Sequence, residues 1–173
     1  MEFESVIFKR QSCRGYLDTP VSDEILEKII NTANLAPSAC NGQPYFLTVC
    51  KGNTAKEVAK LTSGMGLNKF AVEAPCLIVV SEKPYVKSAA AGSKIKNNDY
   101  RSIDIGIVTS HIVLEAVNQG ISSCILGWFD EAKIQKLLGI TERIRLVITL
   151  GYPKDEKIRD KKRKNINEIS NIG

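Results

Sequence analysis

Two groups of residues in this chain have the right types and spacing to hold an anion. Arg10-Gln11-Ser12-Cys13-Arg14 sets two guanidiniums around a hydroxyl, and the segment from Lys154 to Lys164 carries seven bases against three acids. Arginine offers a planar fork of donors that matches phosphate oxygens, lysine adds a compact charge, and serine adds a single donor. Taken alone, Arg10 and Arg14 also fit ordinary surface bases at helical spacing. The run also fits a solvated tail or a nucleic-acid patch as well as a clamp on a phosphorylated ligand. Most of the preceding chain is near charge balance, so the excess of 24 bases over 19 acids, a net +5, is concentrated at the C-terminus.

Several other chemistries are excluded by what is missing. His111 is the only histidine and lies in the apolar stretch IVTSHIVLEAV. Multi-histidine metal sites within one chain are therefore ruled out, and a hydrolytic triad would need its base in the middle of a buried helix. The expectation for His111 is a structural polar contact, and no metal is expected. Cysteines stand at 13, 40, 50, 76 and 124, an odd number with no CxxC pair, so a disulfide framework is not expected. Gly64-Met65-Gly66 follows a helical stretch and lacks a third glycine, so it is no dinucleotide fingerprint.

These residues need elements to position them. Periodicity predicts a short helix from Phe3 to Arg10 and a second opened by Pro20-Val21-Ser22, with Ser22 as N-cap, ending before Pro37. A loop from Pro37 to Pro44 leads into a strand from Pro44 to Cys50, then a helix over Ala55 to Leu61. The apolar run Cys76 to Val80 reads as an interior strand covered on both faces. Glu82 to Tyr100 shows no period and reads as a long surface loop. Ser102 to Gln119 is apolar almost all round, which predicts a helix buried on every side, at the centre of the fold or at a subunit interface. An extended segment from Ile121 to Phe129, a helix over Glu131 to Leu138 and a strand from Arg143 to Leu150 complete one α+β layer domain. With 173 residues, 43% of them hydrophobic, a single core is expected. The tail from Gly151 to Gly173 has only Ile158, Ile166, Ile169 and Ile172 to bury, and wrapping a partner subunit would supply the surface it lacks.

Four segments acquire meaning together: Arg10 to Arg14, Ala36-Pro-Ser-Ala-Cys-Asn-Gly-Gln-Pro-Tyr45, Gly120-Ile-Ser-Ser-Cys-Ile-Leu-Gly-Trp-Phe-Asp130, and Lys161-Lys-Arg163 before Ile166-Asn-Glu-Ile169. In this order and spacing the sequence resembles the FMN-dependent nitroreductase family over essentially its whole length, as a short member. The resemblance implies a mixed sheet flanked by helices and an intertwined homodimer with FMN in a groove at the interface. It implies ping-pong transfer of electrons from NADH or NADPH to a nitroaromatic, quinone or similar acceptor. By the same resemblance Arg10, Gln11, Ser12 and Arg14 serve the phosphate, ribityl chain or flavin pyrimidine. Pro37, Ser38 and Asn41 reach the flavin from the other subunit, while Gln43 orders their loop. Ile125, Leu126 and Gly127 pass beside flavin N5, where a backbone N–H donates, and Asn68 matches an amide position facing N3 or O4. No side-chain acid or base is implied as catalytic. Lys161 and Arg163 suit the phosphate dianion chemically, since no glycine-rich cradle is present to neutralise it.

Two alternatives accompany this reading. The same fold hosts dehalogenation and dehydrogenation, and a basic nucleic-acid-binding protein would use the Lys161 to Lys164 run with Arg143 and Arg145, although it lacks a recognition-helix or aromatic signature. No apolar run approaches the ~20 residues of a membrane span, and the start has acids and no long apolar core, so a cytoplasmic protein without membrane or nucleic-acid partners is expected.

Overall fold

The computed structural model describes residues 1–171. Ile172, one of the apolar tail residues, lies outside the described residues. The chain forms α1 (Phe3–Lys9), α2 (Asp23–Asn34), β1 (Tyr45–Lys51), α3 (Gly52–Lys60), β2 (Cys76–Glu82), α4 (Lys87–Lys96), α5 (Tyr100–Asn118), β3 (Ser122–Leu126), α6 (Glu131–Leu138) and β4 (Ile144–Gly151).

The apolar run of β2 is buried at every position, because both sheet faces and both strand edges are covered there. The sheet order is β1-β2-β4-β3. Alternate residues point to opposite faces. Ile78, Val80, Ile148 and Leu150 meet α2 and α5 on one side, while Leu77, Val79, Val147 and Leu126 meet α3 and α6 on the other. All pairings between named strands are antiparallel. α3 and the turns after it bring the chain back to the end of β1, where Lys51 pairs with Cys76, and α6 likewise joins β3 to β4, whereas β2 and β3, each antiparallel to β4, run in the same sense. The parallel component of the expected mixed sheet is a single bridge between Ser12 and Ser123.

Ser22 caps α2 as expected, its side chain accepting from the Ile25 N–H at 3.4 Å. His111 is held as a structural polar group, Nδ1 hydrogen-bonding the Ile107 carbonyl at 2.9 Å.

Two expectations are corrected. Glu82 to Tyr100 is not a long loop, since α4 occupies its middle. Ala89, Ala90 and Ala91 favour helix, but only Ala89 is buried, so the segment carries propensity without the apolar stripe that periodicity detects. Nor is α5 buried on every side within one chain. It buries Ile105, Val108, Ile112, Val113 and Ala116 against the sheet layer, while Ile103 remains 47% exposed. α1 also packs on α5, and Gly106 and Ser110 are exposed together with Ile103.

Candidate anion-binding site

The N-terminal arm after α1 runs beside β3. The Cys13 N–H donates to the Ser123 carbonyl at 2.9 Å, Leu17 N–H to Tyr152 at 2.9 Å, and Lys154 N–H returns to Gly15 at 3.1 Å. Gly151 is required at the crossing, because a Cβ there would lie 2.6 Å from Pro75 Cδ and 2.9 Å from Tyr16 Cδ1. The tail is thereby directed back along the arm. Arg159 donates through Nη2 to the Ser12 carbonyl at 2.6 Å, and Lys161 Nζ donates to the Ile7 carbonyl at 2.9 Å.

This docking brings Arg10, Gln11, Ser12 and Arg14 together with the stretch from Arg159 to Arg163 around a cavity of about 350 Å³. Six bases and one acid, Asp160, line it. Among the described residues none of the six bases forms an ion pair. The Lys161 ammonium is pushed below its ordinary range by burial first, and then by the like charges of Arg10 and Arg163. The cavity therefore holds uncompensated positive charge that an anion would relieve. Arg159 was missed in the sequence reading. Its signal was the two-residue spacing of Arg159, Lys161 and Arg163, which in an extended segment sends side chains to one side.

Gln11 lines this cavity, but its amide is fully engaged by the tail: Nε2 donates to the Lys157 carbonyl at 2.9 Å, and Oε1 accepts from Arg159 N–H and Nε, each at 3.2 Å. Its structural part is to hold the tail.

The Pro37 to Pro44 loop does not line the cavity of its own chain. Ser38 Oγ accepts from the Gln43 N–H at 3.0 Å, and Gln43 Nε2 donates to Asn41 O and Oδ1, both at 3.2 Å. Gln43 thus orders a loop in which Cys40, Asn41 and Gln43 all adopt left-handed φ, at 51°, 50° and 45°. Asp104, a buried acid on α5 that the sequence reading passed over, accepts from the Ala39 N–H at 3.0 Å and anchors the loop. A lone acid in an otherwise apolar helix face was the available signal. Pro37 and Asn41 are left exposed.

At the other end of β3, Leu126 is a core side chain, whereas Ile125 is 43% exposed. A Cβ added at Gly127 would meet nothing within 4 Å. Asn68, itself left-handed at φ 54°, donates through Nδ2 to the Thr62 carbonyl at 3.3 Å and the Trp128 carbonyl at 3.2 Å. It fastens its turn to the residue that follows Gly127.

The model of the nitroreductase family matches residues 7–68 and 56–152, which include the arm, the 37–44 loop and β3. The chain belongs to the nitroreductase family. A relative from Archaeoglobus fulgidus, named provisionally as an NADH dehydrogenase/NAD(P)H nitroreductase, is 34% identical over 88% of this chain and 86% of its own length. The iodotyrosine deiodinase of Hydra vulgaris is 25% identical over 92% of this chain and 68% of its own length. Among solved nitroreductase structures, one from Exiguobacterium sibiricum in complex with FMN superimposes with a TM-score of 0.82 at 20% identity, covering 100% of this chain and 98% of that one. The chain thus shares the α+β fold of the family. Among the described residues no helix is long and apolar enough to cross a membrane.

Proposed function

We propose that this chain is an FMN-dependent oxidoreductase that takes electrons from NADH or NADPH and delivers them to a nitroaromatic, quinone-like or similar small acceptor. The observation that carries this reading is the cavity of six bases and one acid assembled from the arm and the tail. It suits a phosphate dianion, which forms charge-assisted hydrogen bonds with guanidinium and ammonium groups. When bound, FMN supplies a ring that accepts a hydride and passes electrons on.

The protein's own work is binding, orientation and exclusion of water. Arg10, Arg14, Arg159, Lys161 and Arg163 neutralise the phosphate, and Ser12 adds a hydroxyl donor. Gln11 keeps the tail bases in register by its three bonds to Lys157 and Arg159. Ile125 and Gly127 leave open space beside the end of β3 for a flat ring, with Leu126 holding the backbone in the core. Asn68 secures the neighbouring turn. The exposed Pro37 and Asn41 and the half-buried Ser38, on their ordered loop, complete the site from a second copy of the chain. The names of the Archaeoglobus and Exiguobacterium relatives support the nicotinamide donor and the flavin.

Replacing Lys161 and Arg163 together with alanine tests the cofactor assignment. Charge-assisted bonds are worth about 1.5–3 kcal/mol each, so FMN binding should weaken by at least ~10-fold, read by fluorescence titration, with riboflavin binding almost unchanged. Unchanged FMN affinity would make the basic run a solvated tail. A second reading, reductive dehalogenation on the same scaffold, is supported by the likeness to the Hydra deiodinase. Reoxidation of the reduced protein by nitroaromatics and quinones but not by an iodinated tyrosine favours the first reading, and the reverse order favours the second.

A further inference from the structure

Cys13 and Cys124 serve neither the cavity nor a disulfide framework, yet the fold sets them side by side. Ser12 and Ser123 form a parallel bridge, and the Cys13 N–H donates to the Ser123 carbonyl at 2.9 Å. The next residues along the two parallel segments, Cys13 and Cys124, therefore stand in register on the same face. Both pack in the cluster that contains Tyr16, Leu77 and Val147. The Tyr16 hydroxyl stands 3.1 Å from the Cys13 carbonyl and 2.7 Å from Thr149 Oγ1, which stands 3.3 Å from the Cys124 carbonyl, so the two hydroxyl hydrogens fill two of these three contacts at a time. This chain of bonds holds the two backbones together. Paired segments lie about 4.8 Å apart, inside the Cα separation of about 4.4–6.8 Å that a disulfide spans.

We propose that Cys13 and Cys124 are a redox-active dithiol that a hydroperoxide converts to an intrachain disulfide. Cys13 is the partly exposed member and Cys124 the buried one, so the peroxide reaches Cys13 first. The Cys13 thiolate attacks one peroxide oxygen and breaks the O–O bond, leaving a sulfenic acid and releasing one water from hydrogen peroxide. The Cys124 sulfur then attacks the Cys13 sulfur, forming the S–S bond and expelling a second water. Two electrons pass from the two thiols to the peroxide, and two S–H bonds are lost. Burial pushes the Cys124 thiol up against the opposing pull of the Arg14 charge, a setting that suits a resolving thiol rather than the one that attacks the peroxide. The resulting bond staples the arm carrying Arg10, Ser12 and Arg14 to β3. The proposal does not depend on the identity of the cofactor.

The test uses the full chain with the exposed Cys40 replaced, Cys40→Ser. The protein is treated with a small excess of hydrogen peroxide, blocked with N-ethylmaleimide and digested without reduction. The expected result is the loss of two of the four remaining thiols and a Cys13–Cys124 linked peptide pair that dithiothreitol separates. In Cys40→Ser with Cys13→Ser added, Cys124 should stay alkylated. Accumulation of Cys13 sulfinic acid with no linked pair, or the same thiol loss without Cys13, would overturn the proposal. The linked peptide is read on a chain that keeps both thiols, so a folding defect in the second variant leaves the result decisive.

Discussion

The Glu142 carboxyl is held at about 2, well below its ordinary value of 4.5, first by the Lys83 side chain and then by the Glu142 and Thr141 backbone N–H groups. A carboxylate depressed in the folded state stabilises the fold above its unfolded value and loses that contribution as pH falls through its folded value. The window is therefore from about 4.5 down to about 2. Glu142→Gln should lower the urea midpoint at pH 6 and match the parent by pH 2. A gap of the same size at both pH values would mean that the charge of Glu142 does not matter. Both partners are about one-third exposed, so solvent screening keeps the effect small. The pair nevertheless ties the end of β2 to the turn before β4. Such residue-level partners were not legible in the sequence, because nothing in local spacing brings Lys83 to a position 59 residues away.

At the scale of elements, the arm and the tail depend on one another. The tail has no regular structure from 154 to 165, so side-chain clasps hold it in place of a ladder. Gln11→Ala removes three hydrogen bonds to Lys157 and Arg159, each worth about 0.5–1.5 kcal/mol. Amide exchange over residues 157–163 should accelerate by ~10-fold or more, with the α5 core unchanged, in hydrogen-exchange mass spectrometry. Unaltered exchange in the tail would show that Arg159 and Lys161 dock it unaided. The basic run was visible in composition and its destination was not, since charge states that a segment is attracted to something without stating where the chain turns. The same limit hid α4, whose helix depends on alanine propensity and a left-handed Asn97 cap rather than on burial.

At the scale of the molecule, apolar side chains remain uncovered on surfaces that lie far apart in the sequence. Phe3 is 70% exposed and Phe8 64% on α1, Ile103 is 47% exposed on α5, and Ile166 and Ile169 are 63% and 66% exposed in the tail. Soluble monomers rarely leave so many large side chains open, and a second copy of the chain would cover them and bring Pro37, Ser38 and Asn41 to the cavity. Light scattering at low micromolar concentration should give the mass of two chains, and dilution should release flavin as the dimer parts. A flavin-loaded species with the 19.1 kDa mass of one chain would sink this arrangement.

Local chemistry was decided by the sequence alone. The Ser22 cap and the helix over Glu131–Leu138 follow from interactions within a few residues, and the apolar run Cys76–Val80 marked an interior strand. The spacing of the four motif segments also carried the family. Tertiary structure alone decided that the sheet is antiparallel across its paired strands, that Ile103 of α5 stays exposed within its own chain, that Arg159 lines the basic cavity, and that Asp104 anchors the 37–44 loop. Each of these rests on contacts between residues distant in sequence. Their free energy depends on how whole elements pack, and neighbouring residues do not encode it.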